Sequence, residues 1–165
     1  MLLASVPAGP AYSRVKLRRR VQRMGALALK GAVYLLPGTP ARRADFDLLR
    51  DEVVADGGDA TIWSVRSVAG LTDDQIQARF DAERDFEYAA FTAEGTELID
   101  RWRAAQATMT PARLRELRAD RDRAFGQLEE ILRRDYLEAP GREPALGVME
   151  ALAVLDVTPT RRGPQ

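Results

Sequence analysis

VKLRRRVQRMGALALKGAVYLLPGTP, residues 15–40, carries the reading of the fold in two halves, one basic and one apolar. In the basic half Leu17, Val21 and Met24 recur at helical spacing, which predicts one inward stripe on a helix. Gly25 then closes that helix in the usual C-terminal fashion. In the apolar half, Ala26–Leu29 and Ala32–Leu36 read as two strands joined by a tight hairpin at Lys30-Gly31. Pro37-Gly38-Thr39-Pro40 punctuates the end of the second strand.

The pattern extends in both directions. Upstream, Leu2–Val6 is a short apolar run ending in the turn-rich Pro7-Ala8-Gly9-Pro10, which predicts a first strand. Ser13 is the candidate N-cap for a helix over Arg14–Met24. Downstream, a helix is expected from Pro40 or Ala41 to Ala55, with Phe46, Leu49 and Val53 inward, stopped by Gly57-Gly58. Ala60–Val68 alternates as another strand. This order predicts an α+β class: a ferredoxin-like βαββαβ antiparallel sheet with both helices on one face. A C-terminal helical extension of about three helices is expected to follow. Thr72-Asp73-Asp74-Gln75 is a capping-box pattern. Ile76, Phe80, Tyr88 and Phe91 continue as a core stripe, and Gly95 breaks or weakens the helix before Leu98, Ile99 and Trp102 resume. Thr110-Pro111 starts the next helix, with Leu114, Leu117, Arg121, Leu128, Ile131 or Leu132, and Tyr136 on its face. Pro140-Gly141 ends it, and Glu143–Leu155 is a last helix. The expected organisation is a domain at 1–69, a helical extension at 70–157 packed on it, and a disordered tail at 158–165.

Hydrophobic content of 45% and charged content of 30% over 165 residues are ordinary for one soluble globular domain. The chain has no cysteine and no histidine. Thiolate nucleophiles, disulfides, and the commonest general base and metal ligand are thereby excluded. No P-loop, dinucleotide fingerprint or nucleophile elbow is present. No apolar run reaches the roughly 20 residues of a membrane span, and the N-terminus lacks signal-peptide layout, so a cytoplasmic location is expected. No catalytic residue, metal site or cofactor is expected.

The zero net charge conceals a division. Residues 1–50 carry ten basic and two acidic side chains, whereas residues 51–100 carry three basic and thirteen acidic ones. Seven of the 25 basic side chains lie between Arg14 and Lys30, with no acid among them. Cations at a helix start oppose the macrodipole, and a local rule broken this plainly marks a candidate site. Free N–H groups, a glycine-bearing loop and converging cations make an anion site, here Gly9, Ser13, Arg14 and Lys16. Lys16, Arg19, Arg20 and Arg23 fall along one flank and Arg14 and Arg18 along the other. Lys16, Arg18, Arg19, Arg20 and Arg23 are the candidate contacts to duplex phosphate, and Arg42 and Arg43 extend the stripe. The plainer alternative is a solvated face whose charges pair with the acidic 51–100 region. Arginine outnumbers lysine 23 to 2, so composition alone enriches arginine clusters. The acidic cluster Asp81, Glu83, Asp85 and Glu87 around Arg84 reads as a solvated or arginine-paired face. The arginines from Arg113 to Arg123, alternating with Glu116, Asp120 and Asp122, read as a salt-bridged surface.

The ordered set Ser5–Pro7, Arg14–Ala26, Gly31–Pro37 and Gly57-Gly58 resembles the N-terminal domain of the chromate-resistance regulator ChrB family. The resemblance covers about residues 2–68. It implies a chromate-responsive transcriptional regulator that binds DNA and senses an oxyanion; the leading expectation is a non-enzymatic homodimer with duplex DNA and chromate or another oxyanion as partners. Leu17 stands where the family commonly has tryptophan. Full-length members carry a further C-terminal domain, so a stand-alone chain is expected to keep one half of that work. PaaX-type repressors share the strand-and-helix order as a fold analogy. The alternative function is a protein–protein module whose basic helix docks on an acidic partner or dimer mate. A carboxylate-based nucleic-acid hydrolase is a third reading, and Ser5 stands where it would want an aspartate.

Overall fold

Lys30-Gly31 does close a hairpin, and Gly31 takes the left-handed φ of 57° that the turn demands. The computed structural model describes residues 2–5 and 11–155, with side chains from residue 15. The Pro7–Pro10 turn, Gly9 and the 158–165 tail lie outside the described residues.

Strands β2 (Leu27–Lys30) and β3 (Val33–Leu36) pair antiparallel, with a register slip between Ala28 and Lys30. β1 (Leu2–Ser5) lies antiparallel between β3 and β4 (Thr61–Ser64), giving the order β2-β3-β1-β4. Helix α1 (Ala11–Arg23) connects β1 to β2, and α2 (Pro40–Ala55) connects β3 to β4. α1 begins before Ser13, so Ser13 stands in its first turn and not at the cap. Thr39 caps α2 by accepting from the Arg42 N–H at 3.3 Å.

The fold-class expectation is corrected by the lengths of these elements. Each strand has only four residues, whereas α3 (Asp73–Ala105) has 33, α4 (Pro111–Arg134) has 24 and α5 (Arg142–Val154) has 13. The described chain is mostly helical, five α-helices against a small sheet, and the α+β ferredoxin-like βαββαβ class with helices as its appendage does not describe it. Alternation overstates the last strand, and glycine content understates the longest helix. Ala60–Val68 alternates for nine residues, yet only Thr61–Ser64 joins the sheet, and Val68 makes just an isolated bridge to Leu71. Gly95 does not interrupt α3, because its missing side chain is where α5 packs: a Cβ there would meet Val148 Cγ1 at 2.4 Å.

The chain forms two compact units, Met1–Phe80 with Arg134–Leu137, and Asp81–Arg133 with Glu138–Gln165. In the first, Leu35 and Leu36 are both fully buried. Neighbours on a strand face opposite ways, so both sides of β3 are covered. Leu36 joins Val21, Met24, Phe46 and Leu49 beneath α1 and α2. Leu35 joins Leu27, Ile76 and Phe80 on the other side. Tyr136 packs against both clusters. In the second unit Tyr88 and Phe91 pack with Leu128 and Ile131, and Leu98, Ile99 and Trp102 pack with Leu117 and Leu152. The reciprocal bonds of the capping box at Thr72 and Gln75 form at 3.0 and 3.2 Å, and Thr110 caps α4 through Arg113 N–H at 3.1 Å.

Candidate nucleic-acid interface

The inward stripe Leu17, Val21 and Met24 fixes the rotation of α1, and so decides where each cation goes. At about 100° per residue, Lys16 and Arg20 fall beside the buried stripe, toward the acid-rich end of α2. There Lys16 Nζ meets Asp56 Oδ2 at 2.7 Å and Arg20 Nη2 meets Glu52 Oε1 at 3.1 Å. Two of the five candidate phosphate contacts are therefore held by acids of the 51–100 region. Arg18, Arg19 and Arg23 lie on the opposite, solvent-facing arc and are exposed. None of the three makes an ion pair or hydrogen bond among the described residues. Their arc spans about 140° of the helix surface, wide enough to present three cations to one extended anion.

The C-terminal end of α1 is organised by residues distant in sequence. Arg134 Nη1 donates to the Gln22 carbonyl at 3.4 Å, and the Tyr136 hydroxyl donates to the Met24 carbonyl at 2.5 Å. The Met24 carbonyl gains a partner just past the helix end, and the Gln22 carbonyl, which already accepts from the Gly25 N–H at 2.9 Å, takes a second donor. Arg134 thus adds a cation next to the Arg18–Arg23 arc. No local signal marked it, because the contact spans 112 positions. Arg42 does not extend the stripe: it donates to the Tyr136 hydroxyl at 2.9 Å, stacks on the Tyr136 ring at 5.1 Å and pairs with Asp45. Arg43 pairs with Asp47 at 3.4 Å.

Of the four residues of the expected oxyanion site at the helix start, only Lys16 has a described side chain. Gly9 lies outside the described residues, as do the side chains of Ser13 and Arg14, and the Lys16 ammonium faces Asp56.

The family described as Protein ChrB, N-terminal, matches residues 14–155, most of the chain. The chain belongs to the ChrB N-terminal family. The Protein ChrB of Cupriavidus metallidurans is 31% identical over 96 residues, a match covering 57% of this chain and 28% of that protein's length.

The acidic cluster of this ChrB-family chain is structural. Arg84, only 6% exposed, lies between Glu83 and Glu87, at 3.4 and 3.2 Å. Burial raises the Glu83 carboxyl, with Glu87 adding to the effect and Arg84 opposing it. Asp85 accepts from the Gly141 N–H at 2.7 Å, tying the start of α5 to α3. Among the described residues no group of three carboxylates converges on a cation site. The α4 arginines form the salt-bridged surface that their alternation with acids predicts: Arg113 pairs with Glu116, Arg121 with Asp122, and Arg123 with Asp120. Among the described residues no helix is long and apolar enough to cross a membrane.

Proposed function

We propose that this chain is a chromate-resistance regulatory protein that grips duplex DNA by its phosphates through the solvent arc of α1, acting by binding and without catalysis. The observation that carries this reading is the sorting of charge on one helix. Lys16 and Arg20 are held by α2, while Arg18, Arg19 and Arg23 are left side by side and facing water. Exposed cations on one rigid helix can replace condensed counterions on DNA, and their release makes binding steeply salt-dependent. Family membership and the absence of cysteine and histidine support a binding role over an enzymatic one. Among the described side chains no aromatic that could stack on single-stranded bases lies on the arc, which favours duplex backbone contact. The test is fluorescence anisotropy of a labelled 25-base-pair duplex at increasing salt. Binding at 25 mM KCl that weakens steeply by 200 mM supports the reading. No binding at 25 mM KCl, or binding indifferent to salt, refutes it and leaves an acidic protein as the partner to seek.

A further inference from the structure

The two edges of the sheet are built differently. On one edge β2 carries the extra residue of its register slip and ends in Lys30, which is exposed. A bulge and an edge lysine both discourage a further strand from pairing there. On the other edge β4 has neither. Its residues Thr61-Ile62-Trp63-Ser64 include no charge and no proline, and all but the half-buried Ile62 are exposed. β1 occupies one side of β4, and an edge strand turns its remaining N–H and C=O groups outward. Trp63 is in register with Leu3, and Leu3 with Leu35, so Trp63 shares the face of the sheet turned away from α1 and α2. Ile76 and Phe80 cover Leu35 on that face, yet Trp63 stays 44% exposed. Opposite charges flank the strand, Asp59 just before it and Arg66 just after. Both are exposed, and neither makes an ion pair or hydrogen bond among the described residues. The length of β4 keeps them apart within one copy.

We propose that β4 pairs antiparallel with β4 of a second copy of this chain, about a two-fold axis at Trp63, so that the two sheets join into one. Such a contact uses the same patch on both copies and makes each interaction twice. Antiparallel pairing brings the Asp59 end of each strand to the Arg66 end of the other, so all four charges meet an opposite one. A parallel pairing would set Asp59 against Asp59 and Arg66 against Arg66, and like charges across strands repel. With Trp63 on the axis the two indoles stand directly opposite each other on the face that α1 and α2 leave free, and aromatic cross-strand pairs are favourable. Ile62 then lies across from Ser64 of the other copy. The contact uses none of the α1 arginines.

Sedimentation velocity of the full chain, from about 2 to about 500 µM, reads this contact directly; an interface of this small size is expected to associate in the micromolar range. Trp63→Lys should leave the chain monomeric across the series, because two lysines would meet at the axis. Asp59→Arg alone should weaken association about tenfold, by turning two attractions into two repulsions, and Arg66→Asp alone should do the same. Asp59→Arg together with Arg66→Asp restores opposite charges at both ends and should recover the native association, which a damaged fold could not do. All three positions are exposed. The proposal is overturned if the native chain stays monomeric throughout, or if Trp63→Lys associates as the native chain does. It is overturned equally if the single exchanges change nothing, or if the double exchange fails to recover what they lose.

Discussion

Replacing Arg18, Arg19 and Arg23 together with glutamine isolates the proposed phosphate contacts from the structural ion pairs of the same helix. Each phosphate neutralised contributes about 0.9 to the slope of log affinity against log salt, so three contacts contribute about 2.7. Between 50 and 200 mM salt, a slope of that size corresponds to about a 40-fold loss of affinity. The triple variant should lose this part of the salt dependence, and its affinity at 50 mM should fall to or below that of the native chain at high salt. All three side chains are exposed, and surface changes of this kind alter stability by about 0.5 kcal/mol or less. Any loss is therefore readable as lost contact, and circular dichroism verifies the fold. The matching control is Lys16→Gln with Arg20→Gln, which breaks the pairs with Asp56 and Glu52. That variant should keep most of the slope. The assay is anisotropy of a labelled duplex across a KCl series. If the triple variant retains the native slope while the control loses it, the sorting of cations by partner is the wrong criterion and the reasoning fails.

Three further outcomes follow from the packing. Tyr136→Phe removes the hydroxyl that joins Arg42 to the Met24 carbonyl, and should cost about 1–3 kcal/mol in urea unfolding; an unchanged midpoint would refute the bridging role. Gly95→Ala should destabilise by about 1–3 kcal/mol through the clash with Val148, and Val148→Ala in the same chain should recover part of the loss. Asp120 is lowered in the folded state, so its stabilising share is present above the unfolded value and is lost as pH falls through the folded one. The stability difference between the native chain and Asp120→Asn should be constant above about pH 5 and shrink below about pH 4, as measured by urea midpoints across that range.

What the sequence showed directly were local signals. Thr72 with Gln75 and Thr110 with Pro111 mark helix starts through bonds that span three residues, so spacing alone reveals them. The stripe Leu17, Val21, Met24 likewise placed one face of α1 inward. Strand length was less legible, because alternation over Ala60–Val68 states only that residues face opposite ways, not that a neighbour exists to pair with. At Gly95 the sequence leaves a break and a mere weakening both open, because propensity counts the entropic cost of glycine and not the helix packed against it. For the site, the cluster of cations was visible, but its division into held and free members was not. That division depends on Asp56 and Glu52, 40 and 32 positions away from their partners. Arg134 was invisible for the same reason, more severely.

The return of Arg134–Leu137 to the first unit has a consequence for how the chain is born. Tyr136 supplies a wall of both clusters that flank β3 and closes the carbonyl end of α1. When Phe80 leaves the ribosome that wall has not yet been made, and at about 5–20 residues per second it arrives several seconds later. The basic helix therefore emerges early but is finished late, its last turn waiting on a segment beyond the whole of α4. Fragments ending before residue 134 should carry every arginine of the arc and yet hold them on an unclosed helix.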